Sequence, residues 1–117
     1  MEERTVRAWT RAETERREGN PHPRFPGVTL KERADGAVRV LTVRVEPDRE
    51  IGTHRHEREW EIHQVLEGRG CLETEEGTFP YEPGAGTRIP PRVSHRVAAG
   101  PEGLLLLAVF APRDASA

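Results

Sequence analysis

From Val28 onward the chain alternates apolar and polar residues with a period of two. Val38, Val40, Thr42 and Arg44 fall on one face of an extended segment, and Leu41, Val43 and Val45 fall on the other. Strands impose that repeat, because successive side chains point to opposite faces. The segment is rich in β-branched residues and lies between the turn pairs Asp35-Gly36 and Pro47-Asp48. The same reading predicts strands at Thr53–His56, Trp60–Leu66, Cys71–Thr74, Thr87–Ile89, His95–Ala98 and Leu104–Phe110. Gly68 and Gly70 break or bend the chain, and Glu76-Gly77 and Pro83-Gly84 are turns. Leu104–Phe110 is apolar throughout, which predicts a strand covered on both faces. No stretch after Val28 keeps a helical period over three turns. Short strands punctuated by Gly and Pro predict an all-β sandwich or barrel.

Before that pattern begins, residues 1–24 are polar and rich in Arg and Glu, and end in a cluster of Pro21, Pro23 and Pro26. An arm, a short helix and an edge strand all fit this stretch. The expected organisation is a polar arm over 1–27, one barrel domain over 28–112 and a tail over 113–117. The 18 basic and 20 acidic residues are interspersed. With no basic stripe and no aromatics woven into one, nucleic acid is not an expected partner. Cys71 is the only cysteine, so an internal disulfide and a Cys-type zinc site are excluded. A lone thiol suits a reducing compartment. Met1–Arg17 is charged and lacks the apolar stretch of a secretory signal, so the expected location is the cytoplasm. The longest apolar run, Leu104–Ala111, falls far short of the roughly 18 residues a membrane helix needs, so no membrane partner is expected.

Candidate chemistry concentrates in Gly52–Gly68, GTHRHEREWEIHQVLEG. His54 and His56 are two apart. On a strand such residues share a face, with Cα atoms about 6–7 Å apart, which suits two imidazoles converging on one ion. A turn after His56 could return Glu61 beside them. His95 begins a later strand, beyond the Pro90-Pro91 bend. Three imidazoles and one carboxylate make a nitrogen/oxygen site for a divalent transition metal such as Fe, Mn, Ni, Zn, Co or Cu. The hard ions Ca and Mg would be held poorly. Four protein ligands on an octahedral ion leave two positions open for water, dioxygen or substrate.

The spacing of these residues resembles the cupins. The first cupin motif reads G-x5-H-x-H-x(3,4)-E-x6-G. It is matched here by His54, His56, Glu61 and Gly68. The second reads G-x5-P-x-G-x2-H-x3-N. It is matched by Gly84, Pro90 and His95. The 15 residues between Gly68 and Gly84 equal the short spacer of small cupins. Three motif positions depart: Asp48 and Arg92 stand where the motifs have glycine, and Ala99 where the second has asparagine. These are turn positions in the family, not ligands. Asp tolerates left-handed geometry better than Arg does.

The resemblance, over Val38 to Val109, implies a single jelly-roll β-barrel of two antiparallel sheets with few or no helices. It implies one divalent metal ion (Fe, Mn, Ni or Zn) held inside the barrel by His54, His56, Glu61 and His95. Dioxygenase, decarboxylase or isomerase chemistry on a small polar or carboxylated molecule follows by the same resemblance. A non-catalytic metal- or ligand-binding module is the alternative. Family members often dimerise through N-terminal strands, so a homodimer using the 1–27 arm is expected.

His63 shares the strand parity of Glu61, which points it inward as a candidate catalytic base that moves a proton near neutral pH. Arg44 and Arg88 are weaker candidates for holding a substrate carboxylate. Glu57 and Glu59 read as surface charge, Trp9 and Trp60 as core or interface aromatics, Cys71 as a small buried hydrophobe and His22 as a solvated loop residue. Ser94 precedes His95 without any G-x-S-x-G context, so serine catalysis is not supported.

Overall fold

The structure, a computed structural model, describes residues 6–113. The chain runs α1 (Arg11–Glu15), β1 (Asn20–Pro21), β2 (Val28–Ala34), β3 (Arg39–Val45), β4 (Glu50–His54), β5 (Glu59–Thr74), β6 (Gly77–Tyr81), β7 (Gly86–Ile89) and β8 (His95–Pro112). The N-terminal region therefore contains both a helix and an edge strand. Thr10 caps α1 through a capping box with Glu13, and β1 pairs with Thr29 and Leu30 of β2.

Every pairing is antiparallel, in the order β1-β2-β3-β8-β5-β6, with β4 added to β8 and β7 to β5. Two bent strands make this one ladder into a barrel. The C-terminal part of β8, from Leu104, pairs with β3 and with the first half of β5. Its first part, His95–Ala99, pairs with β4 and with Gly70–Thr74. β5 and β8 thus pass from one sheet of a jelly roll into the other. The all-β jelly-roll barrel is as the sequence implies, but two pairs of expected strands prove to be single strands. Trp60–Leu66 joins Cys71–Thr74, and His95–Ala98 joins Leu104–Phe110.

Glycine explains why the chain bends there instead of stopping. Gly68 has a φ of 85°, and a Cβ on it would meet the Gly103 carbonyl oxygen at 2.0 Å. The two strands can touch at the corner only where no side chain intervenes. The strand at Gly77–Tyr81 was not legible, because only Tyr81 of its five residues is buried and no alternation results.

Inside the barrel, Val43, Val45, Val65, Leu72, Val97, Leu104, Leu106 and Phe110 belong to one apolar cluster. The opposite face of β8 is covered as well. Leu105 is only 2% exposed but lies outside that cluster. It lines an outer groove with Trp9, Leu66 and Leu107. The arm is pinned there by Arg33, which donates to the Glu13 carbonyl at 2.9 Å, and by Arg44, which donates to that of Glu15 at 3.3 Å. Among the described residues, no helix is long and apolar enough to cross a membrane.

Asp48 and Arg92, which replace motif glycines, both keep left-handed backbone, with φ of 61° and 68°. Two opposite stability effects follow. Gly68→Ala should cost about 3 kcal/mol, since strain and a backbone clash combine. Arg92→Gly should stabilise by about 1 kcal/mol, as a left-handed position is relieved at some entropic cost. Urea unfolding of the two variants beside the parent measures both signs.

Candidate metal centre

Four chain segments converge at one end of the barrel. His54 closes β4 and pairs directly with His95, the first residue of β8. Their ring centroids are 4.4 Å apart. Glu61 lies early in β5, between Ile89 of β7 and Phe110 of β8. His56 differs from expectation. The predicted strand Thr53–His56 ends at His54, and His56 sits in the β4–β5 loop. Its carbonyl accepts a 2.8 Å hydrogen bond from the Arg92 amide, which ties this loop to the one preceding His95. The left-handed turn at Arg92 aims that amide.

One ligand atom from each of His54, His56, Glu61 and His95 lies within 4.8 Å of all the others. The backbone selects which nitrogens face inward. Nδ1 of His54 lies 2.8 Å from the Gly52 carbonyl and Nδ1 of His95 lies 2.9 Å from that of Val93. A carbonyl only accepts, so both Nδ1 atoms carry hydrogens, and in each neutral ring the Nε2 lone pair is left for a ligand role.

The buried atoms test whether a cation fits. Glu61 is 5% exposed and His95 1%. Glu61 Oε1 and His95 Nε2 approach to 3.1 Å, yet neither has a hydrogen bond of acceptable geometry among the described residues. Two buried acceptors face each other and need a positive charge between them. A divalent metal satisfies both, and the donor set fits one.

Electrostatics agree. Burial would raise the Glu61 carboxyl, but the imidazoles of His56, His63 and His95 outweigh it and hold it well below the usual carboxylate range. Burial would lower His95, but Glu61 and the Val93 carbonyl reverse this and raise it. For His54 burial prevails, and its imidazole is pushed down.

His63 does point inward and is 2% exposed. Both of its nitrogens are engaged: Nε2 lies 2.6 Å from Glu61 Oε2, and Nδ1 lies 2.7 Å from the Tyr81 hydroxyl. The other arginine candidates face away. Arg44 holds the arm, and Arg88 is exposed and stacks over Trp60 at 4.9 Å. Glu57 pairs with Arg55 and Arg92 on the surface.

A cavity of about 350 Å³ opens onto His54, His56, Glu61 and His63. Leu30, Leu41, Val43, Ile51 and Phe110 give it apolar walls, and Arg24, Arg39 and Arg55 border it. Sequence reading missed these arginines and Phe25. His22 is expected as a solvated loop residue. In fact His22 lines the cavity, and its Nδ1 accepts from the amides of Arg24 and Phe25 at 3.0 and 3.3 Å. Phe25 packs between His22 and His54, with centroids 4.7 and 6.0 Å away. The proline cluster was the available signal: it stiffens a loop that turns over the barrel mouth.

Residues 41–110 match the family model for the cupin domain. Among solved structures, a candidate sugar phosphate isomerase from Acidithiobacillus ferrooxidans is 27% identical, with a TM-score of 0.74 over 88% of this chain and 73% of its own. KdgF from Halomonas sp. is 24% identical, with a TM-score of 0.72 over 80% of this chain and 88% of its own. An RmlC-like cupin from Shewanella frigidimarina is 18% identical, with a TM-score of 0.71 over 81% of this chain and 85% of its own. No curated protein matches the chain.

The raised His95 sets the sign of a pH effect. A proton on Nε2 must leave before that atom can bind a metal, so loading weakens as pH falls, and the raised His95 makes this begin at a higher pH than for an ordinary imidazole. His54, already pushed down, adds little until lower pH. Metal affinity should therefore fall steadily as the pH is lowered through neutrality into the acid range. Calorimetric titration with zinc in two buffers of different ionisation enthalpy reads both the affinity and the proton count.

Proposed function

Because this chain belongs to the cupin domain family, we propose that it holds one divalent transition-metal ion on His54, His56, Glu61 and His95. We read it as a metal-dependent enzyme acting on a small anionic molecule. The observation that carries the proposal is the facing pair of unpartnered buried acceptors, Glu61 Oε1 and His95 Nε2. The bound ion would supply Lewis-acid polarisation, or oxygen and redox chemistry where iron, manganese or nickel is held.

The chain's own residues supply the rest. His54 and His95 arrive with Nδ1 held by carbonyls, so their Nε2 atoms are oriented before any metal binds. Leu30, Leu41, Val43, Ile51 and Phe110 exclude water from the cavity and strengthen charge interactions within it. Of the three bordering arginines, Arg39 is paired with Glu59 and Arg55 with Glu57. Arg24 has no carboxylate partner among the described residues, and its guanidinium lies 5.0 Å from the Phe25 ring centroid. That free cation at the mouth suits a carboxylate or phosphate. The 27% identical neighbour, described as a candidate sugar phosphate isomerase, is in keeping with an anionic substrate. With both nitrogens engaged, His63 serves here to position Glu61 and not to carry the substrate's proton.

Elemental analysis of the purified protein should find near one equivalent of a transition metal, lost in the Glu61→Ala, His95→Ala double variant. No metal in the parent after reconstitution would sink the proposal. The loaded protein should turn over a member of a panel of small carboxylates and sugar phosphates. Arg24→Gln should raise KM for that substrate about three- to tenfold while sparing kcat. Tight binding across the panel without turnover would make the protein a non-catalytic binding module instead.

Ile62 on the outer face of β5 and Val38 in the turn that leads into β3 each remain exposed by more than two fifths of their surface. We infer a homodimer that covers them. Light scattering at micromolar concentration should return twice the 13.2 kDa chain mass, and a monomer would refute it.

A further inference from the structure

Behind Glu61, away from the cavity mouth, three side chains continue the polar contacts through the barrel wall. His63 and Thr87 are directly opposed on β5 and β7, so both side chains share the inner face. Tyr81, at the end of β6, is 1% exposed and reaches between them. Its hydroxyl lies 2.7 Å from His63 Nδ1 and 2.6 Å from Thr87 Oγ1.

The ends of this chain determine its direction. Glu61 Oε2, 2.6 Å from His63 Nε2, has no hydrogen to give, so Nε2 carries one. Tyr81 has a single hydrogen to place, on His63 or on Thr87. A neutral His63 has an acceptor at Nδ1, and Thr87 can donate its own hydrogen to the Tyr81 oxygen. In that arrangement each donor meets one acceptor and no extra charge enters a wall already facing three other imidazoles. Burial pushes the Tyr81 hydroxyl above its ordinary value, so the hydrogen stays on it.

We propose that Thr87 and Tyr81 are positioning residues: Thr87 donates to Tyr81, Tyr81 donates to His63 Nδ1, and the His63 ring, whose Nε2–H is fixed by Glu61, is thereby held at both nitrogens. The ring then anchors Glu61 by Oε2 alone and leaves Oε1 as the single oxygen presented to His54, His56 and His95. The inference rests on the proposed metal site only for this last link. The hydrogen-bond direction is a property of the protein without metal.

The test uses the full chain labelled with 15N at histidine. In the metal-free protein, nitrogen-detected NMR should show the His63 hydrogen on Nε2 and none on Nδ1. Tyr81→Phe removes the Nδ1 donor. The Nε2–H tautomer should persist on Glu61, the Nδ1 resonance should lose its hydrogen-bond shift, and zinc affinity, read by competition with a chromophoric chelator, should fall about tenfold. Thr87→Val should shift both readouts less, since Tyr81 keeps its hydrogen. His63→Gln, which retains an N–H for Glu61, should hold zinc more tightly than His63→Leu. A merely structural role for Tyr81 would move thermal stability without moving zinc affinity. Should Tyr81→Phe fold poorly, Thr87→Val and the parent's tautomer carry the same test. A hydrogen on Nδ1 in the parent overturns the proposal, as does a folded Tyr81→Phe with parental zinc affinity. If the parent shows the Nε2–H ring but binds no zinc, the donor chain stands and the metal reading fails.

Discussion

A carboxylate 5% exposed inside an apolar barrel must be compensated on both of its oxygens, or the barrel does not tolerate it. Glu61 meets this condition unevenly. Its Oε2 is secured by His63, a permanent part of the wall, whereas its Oε1 faces imidazoles that do not complete a hydrogen bond. The unevenness turns a buried acid, ordinarily a liability, into half of a candidate cation site. The imidazoles around it supply the other half, and two of them are already held by backbone carbonyls.

Bringing those groups together is the task of the bent strands. Glu61 lies early in β5 and His95 opens β8, and their separation along the chain is closed only because both strands turn the corner between sheets. The corner depends on Gly68 and Gly70, where an added Cβ would strike Gly103 and Ala98 carbonyl oxygens. A second constraint is the left-handed turn at Arg92, which the chain retains without glycine. It points an amide at the His56 carbonyl and so couples the two loops that carry His56 and His95.

The N-terminal segment contributes at two places. α1 and Trp9 line the outer face of β8 at Leu105 and Leu107, so that this part of its apolar stretch is shielded on both sides. The proline-braced turn at residues 21–26 then brings His22, Arg24 and Phe25 to the mouth of the cavity. The cavity's only unpaired arginine among the described residues thus comes from outside the stretch that matches the family.

Much of this was readable in the chain itself. Period-two alternation and Gly/Pro punctuation are local signals and suffice for an all-β fold, and inward parity placed His63 and Glu61 on one face. The spacing of His54, His56, Glu61 and His95 named the candidate ligand set without saying how it assembles. What needed tertiary structure was every relation between distant segments. Whether Gly68 ends a strand or bends it depends on what lies across the corner. His56 lies past the end of its expected strand, in a loop held by a hydrogen bond from Arg92, 36 positions away. His22 and Arg24 joined the cavity, and Arg44 and Arg88 left it, because side-chain direction is set by which face the rest of the chain covers. Tyr81 sat on an exposed edge strand with no alternation to reveal it. Periodicity reports how a residue relates to its neighbours in sequence, while burial and pairing are decided by partners the sequence does not place beside it.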